Sequence, residues 1–136
     1  MTTPREYHEH QLVRCFFLPV RQARYLEQLP DPKRRPEVLK EFAHFKDLDP
    51  QWAESLPANC NRPITVLKLL QSKGAPARCW AFSESEKLDG KELDLLEALG
   101  DVVGCGIGTF LSCLPGQLAY FEDEDSRYLL SRPPTP

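Results

Sequence analysis

The spacing of apolar residues changes along this chain of 136 residues. Up to about residue 76, apolar side chains recur at three- and four-residue intervals, which places them on one face of a helix. Beyond Pro76 the apolar segments are short, contain aromatic residues and are bounded by turn-forming residues, which is typical of strands. The change predicts an α+β fold in which N-terminal helices pack on one face of a small, mostly antiparallel C-terminal sheet, in the order helices and then β-α-β-β-β.

Three helices are predicted in the first 45 residues. The apolar run within 5–18 fits either a helix or a strand, but its polar flank contains good helix formers and Pro19 would end a helix there. Residues 20–29 continue with helical spacing. Asp31 is a suitable N-cap for the next helix, and Pro32 suits the first helical position. The apolar stripe of this third helix comprises Val38, Leu39, Phe42 and Phe45.

Two more elements complete the helical part. Residues 47–59 are predicted to form a short helical turn that directs Trp52 and Leu56 to the core. Another helix is expected to start at 61–63 and to end at Gly74, which suits the position after a helix C-cap. Its apolar positions are Ile64, Val66, Leu67 and Leu70.

The sheet part begins with a predicted strand at 77–83. Asp89 and Glu92 have the spacing of a capping box, which predicts a helix that ends near Gly100. A long strand is expected from Val102, so strand, helix and strand would form a right-handed β-α-β unit if the strands are parallel. The leucines assigned to the buried face of this helix are Leu93, Leu95, Leu96 and Leu99.

The segment 104–122 is predicted to be a β-hairpin. Gly104, Gly106 and Gly108 stand at alternate positions, which would leave the backbone bare on one side of the first strand, for close packing of a helix or for a ligand. A Pro-Gly turn at 115–116 favours a type II geometry that fits strand twist poorly, so the register has room for a bulge. The turn pairs Cys113 with Leu118, Leu111 with Tyr120, and Thr109 with Glu122.

A second hairpin is predicted around Glu124 and Asp125. It places Glu122 opposite Arg127 and an aromatic pair beside them, and each such cross-strand pair contributes about 0.2–1 kcal/mol. The aromatic pair is Phe121 with Tyr128. A sheet of about four strands follows from these hairpins.

Length and composition bound the remaining possibilities. A chain of this size with 41% apolar residues fits one domain, predicted over 1–132, and the proline-rich end 133–136 is expected to be disordered. No apolar run approaches the roughly 18 residues needed to cross a bilayer, and the start of the chain is too polar and acidic for a signal peptide. A cytoplasmic location is therefore predicted, and the odd count of five cysteines indicates reduced thiols.

Charge is divided unevenly along the chain. Residues 1–76 carry twelve Lys/Arg against nine Asp/Glu, whereas 77–136 carry five against eleven. The halves either neutralise each other within the fold or mark an acidic partner for the first half. Lys33, Arg34 and Arg35 stand in a predicted first helical turn, where the helix dipole disfavours cations, so an anionic neighbour is expected.

No motif in the sequence predicts a catalytic, metal or cofactor site. The Gly-x-Gly-x-Gly string follows a helix and precedes a strand, whereas a dinucleotide-binding fingerprint requires the opposite order. The cysteines lack metal-ligand spacing, and the histidines stand in the first half, away from Cys113. The acidic run 122–125 contains no glycine to form an EF-hand loop, so a solvated hairpin tip is expected there.

These observations favour a non-catalytic module that binds an unknown protein or a small ligand through the glycine-rich hairpin. One alternative is an enzyme acting on a small anionic substrate, with Arg34 or Arg35 holding the anion and Glu122, paired with Arg127, as acid or base. Nucleic-acid binding through the basic residues ranks third, because the pI is near 5.6 and no recognition motif is present. The candidate binding residues are Gly104, Gly106, Gly108, Tyr120, Glu122, Arg127, Arg34 and Arg35.

Overall fold

The computed structural model describes residues 2–134, with five α-helices and six strands in that range. The helices are α1 (Pro4–Phe16), α2 (Gln22–Gln28), α3 (Arg35–Lys40), α4 (Pro63–Ser72) and α5 (Leu95–Val102). The strands are β1 (Ala53–Ser55), β2 (Arg78–Ser83), β3 (Lys91–Asp94), β4 (Thr109–Leu114), β5 (Leu118–Glu122) and β6 (Arg127–Ser131). Short 3₁₀ turns occupy Pro19–Arg21, Glu41–His44 and Pro50–Trp52.

The strands form one antiparallel sheet in the order β1-β6-β5-β4-β2-β3. The hairpin register is confirmed where Leu111 faces Tyr120 and Thr109 faces Glu122. Near the turn a bulge makes Leu114, rather than Cys113, the partner of Leu118. Gly116 has a φ of 70°, so the turn uses the left-handed conformation that glycine adopts without steric cost.

Alternation along the strands gives the sheet two apolar faces. On one face, aromatic residues such as Phe82, Phe110 and Phe121 pack against α1, α2 and α3. On the other face, Leu111 and Tyr120 pack against α4 and α5. The α+β class and the antiparallel sheet are confirmed, and the helices are divided between two faces instead of being gathered on one. Because both cores share one sheet, the described residues form a single domain.

Local signals account for the helices that were predicted well. Thr3 caps α1 by accepting a hydrogen bond from the Glu6 amide at 3.1 Å, and Pro4 occupies the first turn. In α4, Val66 and Leu70 are buried and Gly74, with a φ of 99°, follows the C-cap. Ile64 of the same helix is exposed, so it does not belong to the buried stripe that the spacing suggested.

The capping-box prediction at 89–92 was wrong. Residues 91–94 form the edge strand β3, and Asp94 is the N-cap of α5 because its carboxylate accepts from the Glu97 amide at 3.1 Å. The carboxylate of Asp89 instead receives the Arg35 guanidinium. Helix α5 also continues past Gly100, and Leu96 on it is exposed.

Three further expectations differ from the structure. Asp31 does not cap a helix at Pro32, since residues 31–34 form a turn and α3 begins at Arg35. Part of the predicted helical turn at 47–59 is the strand β1, which adds an edge to the sheet. Strands β2 and β4 pair antiparallel, so they do not form a parallel β-α-β unit. The predicted sheet of about four strands lacked the two short edge strands β1 and β3, which carry no alternating apolar pattern of their own.

Two predictions concern the ends and the location of the chain. Pro133 and Pro134 are exposed and outside any regular element, and the rest of the predicted disordered end, Thr135 and Pro136, lies outside the described residues. Across residues 2–134, the search for a helix of the length and apolar character needed to cross a bilayer found none.

Candidate functional site

Residues 103–108 form a loop between α5 and β4, and the prediction that they belong to a strand was wrong. Gly104 and Gly106 have φ values of 81° and 70°. In this left-handed region a side chain would clash with the backbone, so glycine is favoured at both positions. The alternate glycines therefore reflect the curvature of a loop, and they do not leave one face of a strand bare.

The amides of this loop bind a carboxylate of the protein itself. Gly104 N donates to Glu122 Oε1 at 3.0 Å, and Gly106 N donates to Oε2 at 2.8 Å. The hydroxyl of Tyr120 donates to Oε1 at 2.6 Å. Successive backbone amides of this kind form an anion-binding nest, and here the anion is Glu122, which is only 1% exposed. The nest is filled from within, so it stabilises the loop.

Tyr120 and Arg127 complete the surroundings of Glu122. The pKa of Tyr120 is raised far above its ordinary value, mainly by burial and secondly by the hydrogen bond to Glu122, so the phenol remains a proton donor. Arg127 lies opposite Glu122 in the strand register, as predicted. Its guanidinium donates to the Cys60 carbonyl at 2.5 Å, and no ion pair joins it to Glu122 in the described chain. The predicted pairing of Glu122 with Arg127, which was suggested for an acid or base, is therefore not formed by these two side chains.

Gly108 has a different role from the other two glycines. A Cβ at this position would lie 2.2 Å from the carbonyl carbon of Phe42, which is far inside van der Waals contact. Gly108 is buried, and its amide donates to the carboxylate of Glu84 at 2.6 Å. The absence of a side chain lets the backbone after α3 pack directly on the start of β4, which agrees with the helix-packing explanation for a glycine on this segment.

The acidic run 122–125 is only partly a solvated hairpin tip. Asp123 is buried and accepts hydrogen bonds from the amides of Phe45, Asp125 and Ser126 at 3.3, 2.9 and 2.7 Å. Glu124 and Asp125 are exposed. A shallow cavity of about 220 Å³ lies between this tip and the glycine loop, and it brings together Gly104, Gly106, Glu122 and Arg127 of the predicted set.

The predicted anion-binding arginines lie elsewhere and differ from each other. Arg34 is exposed, and its guanidinium lies 3.9 Å from Asp31 and 4.0 Å from Glu27. Arg35 is mostly buried, and it forms two hydrogen bonds of 2.9 Å with Asp89 and one of 2.5 Å with Glu9. The anionic neighbour expected for the basic cluster is thus supplied by the protein.

The surroundings of Cys79, Cys113 and His8 do not favour thiol or imidazole chemistry. Burial raises the pKa of Cys79 to about 12 and raises that of Cys113 as well, so both remain thiols. His8 Nδ1 lies 2.8 Å from the Ser112 hydroxyl, and burial lowers its pKa. Across residues 2–134, His, Cys, Asp and Glu side chains form no cluster of three or more with metal-binding geometry.

A larger cavity lies between α1 and the segment that runs from α2 to α3. Its volume is about 700 Å³, which is within the usual range for a small-molecule site. Arg35 and Glu9 form its floor, while Arg5, Glu6 and His10 stand at its rim. The apolar walls are formed by Val13, Tyr25, Leu26, Leu29, Pro30 and Pro32.

The floor of this cavity is an ion cluster built from three distant segments. Arg35 of α3 binds Glu9 of α1 and Asp89 of the loop before β3. Burial raises the pKa of Glu9, and the Arg35 charge and hydrogen bond oppose that effect. A titratable side chain with a shifted pKa beside a charge partner in a cavity is a common feature of functional sites.

Sequence reasoning identified Arg35 but missed Glu9 and Asp89. A signal for Glu9 was present, because it is spaced three, four and seven residues from Leu12, Val13 and Phe16, all of which are buried. A carboxylate on the apolar face of a helix needs a partner, and this requirement points to a buried cation. Asp89 was assigned to a helix cap, and nothing in its local spacing indicates Arg35 as its partner.

Comparison of the chain with protein-family models, with curated proteins and with solved structures returned no match in any of the three.

Proposed function

We propose that this protein is a non-catalytic binding module that takes a small ligand with an apolar body into the large cavity between α1 and the segment from α2 to α3. The observation that carries the proposal is the cavity itself, which combines about 700 Å³ of space, apolar walls and a buried ionic floor. Ligand sites commonly combine apolar walls with polar groups that fix the orientation of the ligand. The glycine-rich hairpin, where the sequence placed recognition, supports the fold, because its amides already bind Glu122.

The separation of the charged groups favours binding over catalysis. Arg35 lines the large cavity, whereas Glu122 lines the shallow one, and neither cavity contains both side chains. An enzyme of the suggested kind needs its anion-binding arginine and its acid or base within reach of one substrate. This distribution argues against the enzyme with Arg35 and Glu122 that the sequence suggested.

The neutralisation of the basic residues favours a small ligand over nucleic acid. Arg24 pairs with Glu41, and Arg21 lies 3.8 Å from Asp47. Arg34 and Arg35 have the carboxylate partners described above. A nucleic acid would have to displace these internal partners before its phosphates gained counterion-release energy.

Fluorescence of the neutral probe N-phenyl-1-naphthylamine tests the proposal. Its emission should rise on addition of the folded protein and should saturate at one equivalent, because the cavity offers it an apolar environment. Leu26→Gln places a polar group in the wall and should weaken binding by about fivefold or more, in line with the loss of apolar contact.

Leu67→Gln is the matched control. Leu67 is half-buried like Leu26 but packs on the other core, away from the cavity. Its substitution should leave probe affinity unchanged, with circular dichroism used to verify that both variants are folded. Equal loss of binding in the two variants, or no signal with the wild-type protein, would contradict the proposed function.

A further inference from the structure

The ion cluster under the large cavity carries an excess negative charge. One cation, Arg35, faces two carboxylates, Glu9 and Asp89, and the three side chains are 11%, 12% and 15% exposed. The fully formed cluster therefore has a net charge of −1 in a region that is largely shielded from water. Charge buried in this way is stabilised only by nearby opposite charge or by hydrogen bonds.

The hydrogen bonds of the cluster are distributed unequally between the two carboxylates. Asp89 accepts from Nε and Nη2 of Arg35 at 2.9 Å, and its Oδ1 also accepts from the Ser83 amide at 3.1 Å. Glu9 accepts a single hydrogen bond, from Arg35 Nη1 to Oε1 at 2.5 Å. The same Nη1 also donates to the Leu29 carbonyl at 3.1 Å. Within residues 2–134, no protein group donates to Glu9 Oε2, and no buried side-chain oxygen lacks a hydrogen-bond partner, so this oxygen is accessible to solvent.

The remaining charged groups near Glu9 stand at the rim of the cavity. Arg5 is exposed and its guanidinium lies against Gly90, where a Cβ would be 2.9 Å from Arg5 Nε. It lowers the pKa of Glu9 through space, but it forms no ion pair with Glu9 in the described structure. Glu6 and His10 are also exposed. These rim side chains therefore leave Glu9 Oε2 without a hydrogen-bond donor from the described chain.

We infer that the ligand of this cavity is an amphipathic cation, with an apolar body against the walls and an ammonium group that donates to Glu9 Oε2. The inference rests on the proposed function and adds the chemical class of the ligand. In one contact, an ammonium would neutralise the excess charge of the floor and replace solvent at Glu9 Oε2 with a charge-assisted hydrogen bond. A carboxylate at the same place would meet like charge and lone pairs without a donor.

Three matched ligands test the inference on the wild-type protein. 2-Phenylethylamine, 2-phenylethanol and 3-phenylpropanoate share an aromatic body and differ in the charge of the head group. Titration would be followed by NMR on the methyl groups of Val13, Leu26 and Leu29, which line the cavity. The amine should bind at least about tenfold more tightly than the alcohol, since a hydrogen bond to a charged group is worth that much, and the carboxylate should bind most weakly.

Two variants assign the preference to one side chain. Glu9→Gln should bring the affinities of the amine and the alcohol together, while Glu97→Gln, at an exposed position on α5 away from the cavity, should retain the difference. If Glu9→Gln does not fold, the ranking of the three ligands on the wild-type protein still decides the inference.

Failure of the inference and failure of the proposed function give different results. If N-phenyl-1-naphthylamine binds but the alcohol or the carboxylate equals the amine, or the amine does not bind, the cation inference is overturned and the cavity remains a binding site. Persistence of the amine preference in Glu9→Gln would overturn the role of Glu9. If neither the neutral probe nor any of the three ligands binds, the proposed function falls and the inference falls with it.

Discussion

Two buried glutamates of this protein are held in opposite ways. Glu122 receives three hydrogen bonds, from two loop amides and from the Tyr120 hydroxyl, and lies at the centre of a closed arrangement. Glu9 receives one, from Arg35, and its side chain lines the large cavity. The comparison separates a carboxylate that serves the fold from one with capacity left for a ligand. The amides of the glycine loop are occupied by Glu122 in the folded chain.

The largest effect is expected from removal of the closed carboxylate. Glu122→Ala would leave the two loop amides and the Tyr120 hydroxyl without their acceptor in a buried site, at a cost of about 3–5 kcal/mol in the free energy of unfolding. Urea denaturation would measure the loss. Glu124→Ala, at an exposed position on the same hairpin, is the control and should change stability by less than about 0.5 kcal/mol. A similar small change for Glu122→Ala would mean that this carboxylate does not hold the loop.

A smaller and graded effect is expected within the glycine loop. Gly108→Ala should cost about 3 kcal/mol, because the added Cβ would collide with the Phe42 backbone. Gly104→Ala should cost about 1 kcal/mol, because nothing lies within 4 Å of the added atom and only the positive φ is strained. The difference would be measured by thermal and urea unfolding of the two variants. Equal costs would place both glycines in the same kind of environment and remove the distinction between close packing and turn geometry.

The smallest effect concerns the proton affinity of Glu9. Burial raises the folded-state pKa of Glu9 above its ordinary value of 4.5, so the folded protein holds this proton more tightly than the unfolded chain does. The stability contributed by Glu9 is therefore fully present below pH 4.5 and is lost as pH rises through the raised folded pKa. Unfolding of the wild type and of Glu9→Gln, compared from pH 4 upward, should show the wild type losing stability relative to the variant over this window.

The difference in unfolding free energy between the wild type and Glu9→Gln at each pH isolates the contribution of Glu9, because both proteins contain the other carboxylates. Glu6→Gln, at an exposed position on the same helix, is the control and should differ from the wild type by less than about 0.5 kcal/mol. A wild-type advantage that grows with pH would mean that Arg35 outweighs burial. In that case Glu9 would resemble Glu122, and the contrast between the two glutamates would disappear.

The amino-acid sequence determined the features that depend on neighbours along the chain. Helical spacing located α1, α2 and α4, because a helix buries residues three and four positions apart. Turn chemistry and cross-strand pairs located the hairpins of β4, β5 and β6 in register apart from the bulge, since a short turn fixes which residues face each other. The edge strands β1 and β3 escaped prediction because their few residues carry no alternating pattern and are strands only by pairing with the rest of the sheet.

Only the tertiary structure determined which partners the buried charged side chains have. Arg35 meets Glu9 and Asp89 across 26 and 54 positions of sequence, and Glu122 meets the glycine amides across 16 and 18. Local spacing contains no record of such pairs, because the energy of a hydrogen bond depends on distance in space and on burial, both of which are set by how the helices pack on the sheet. For the same reason the sequence did not predict the large cavity, which exists only where α1 packs against the segment from α2 to α3.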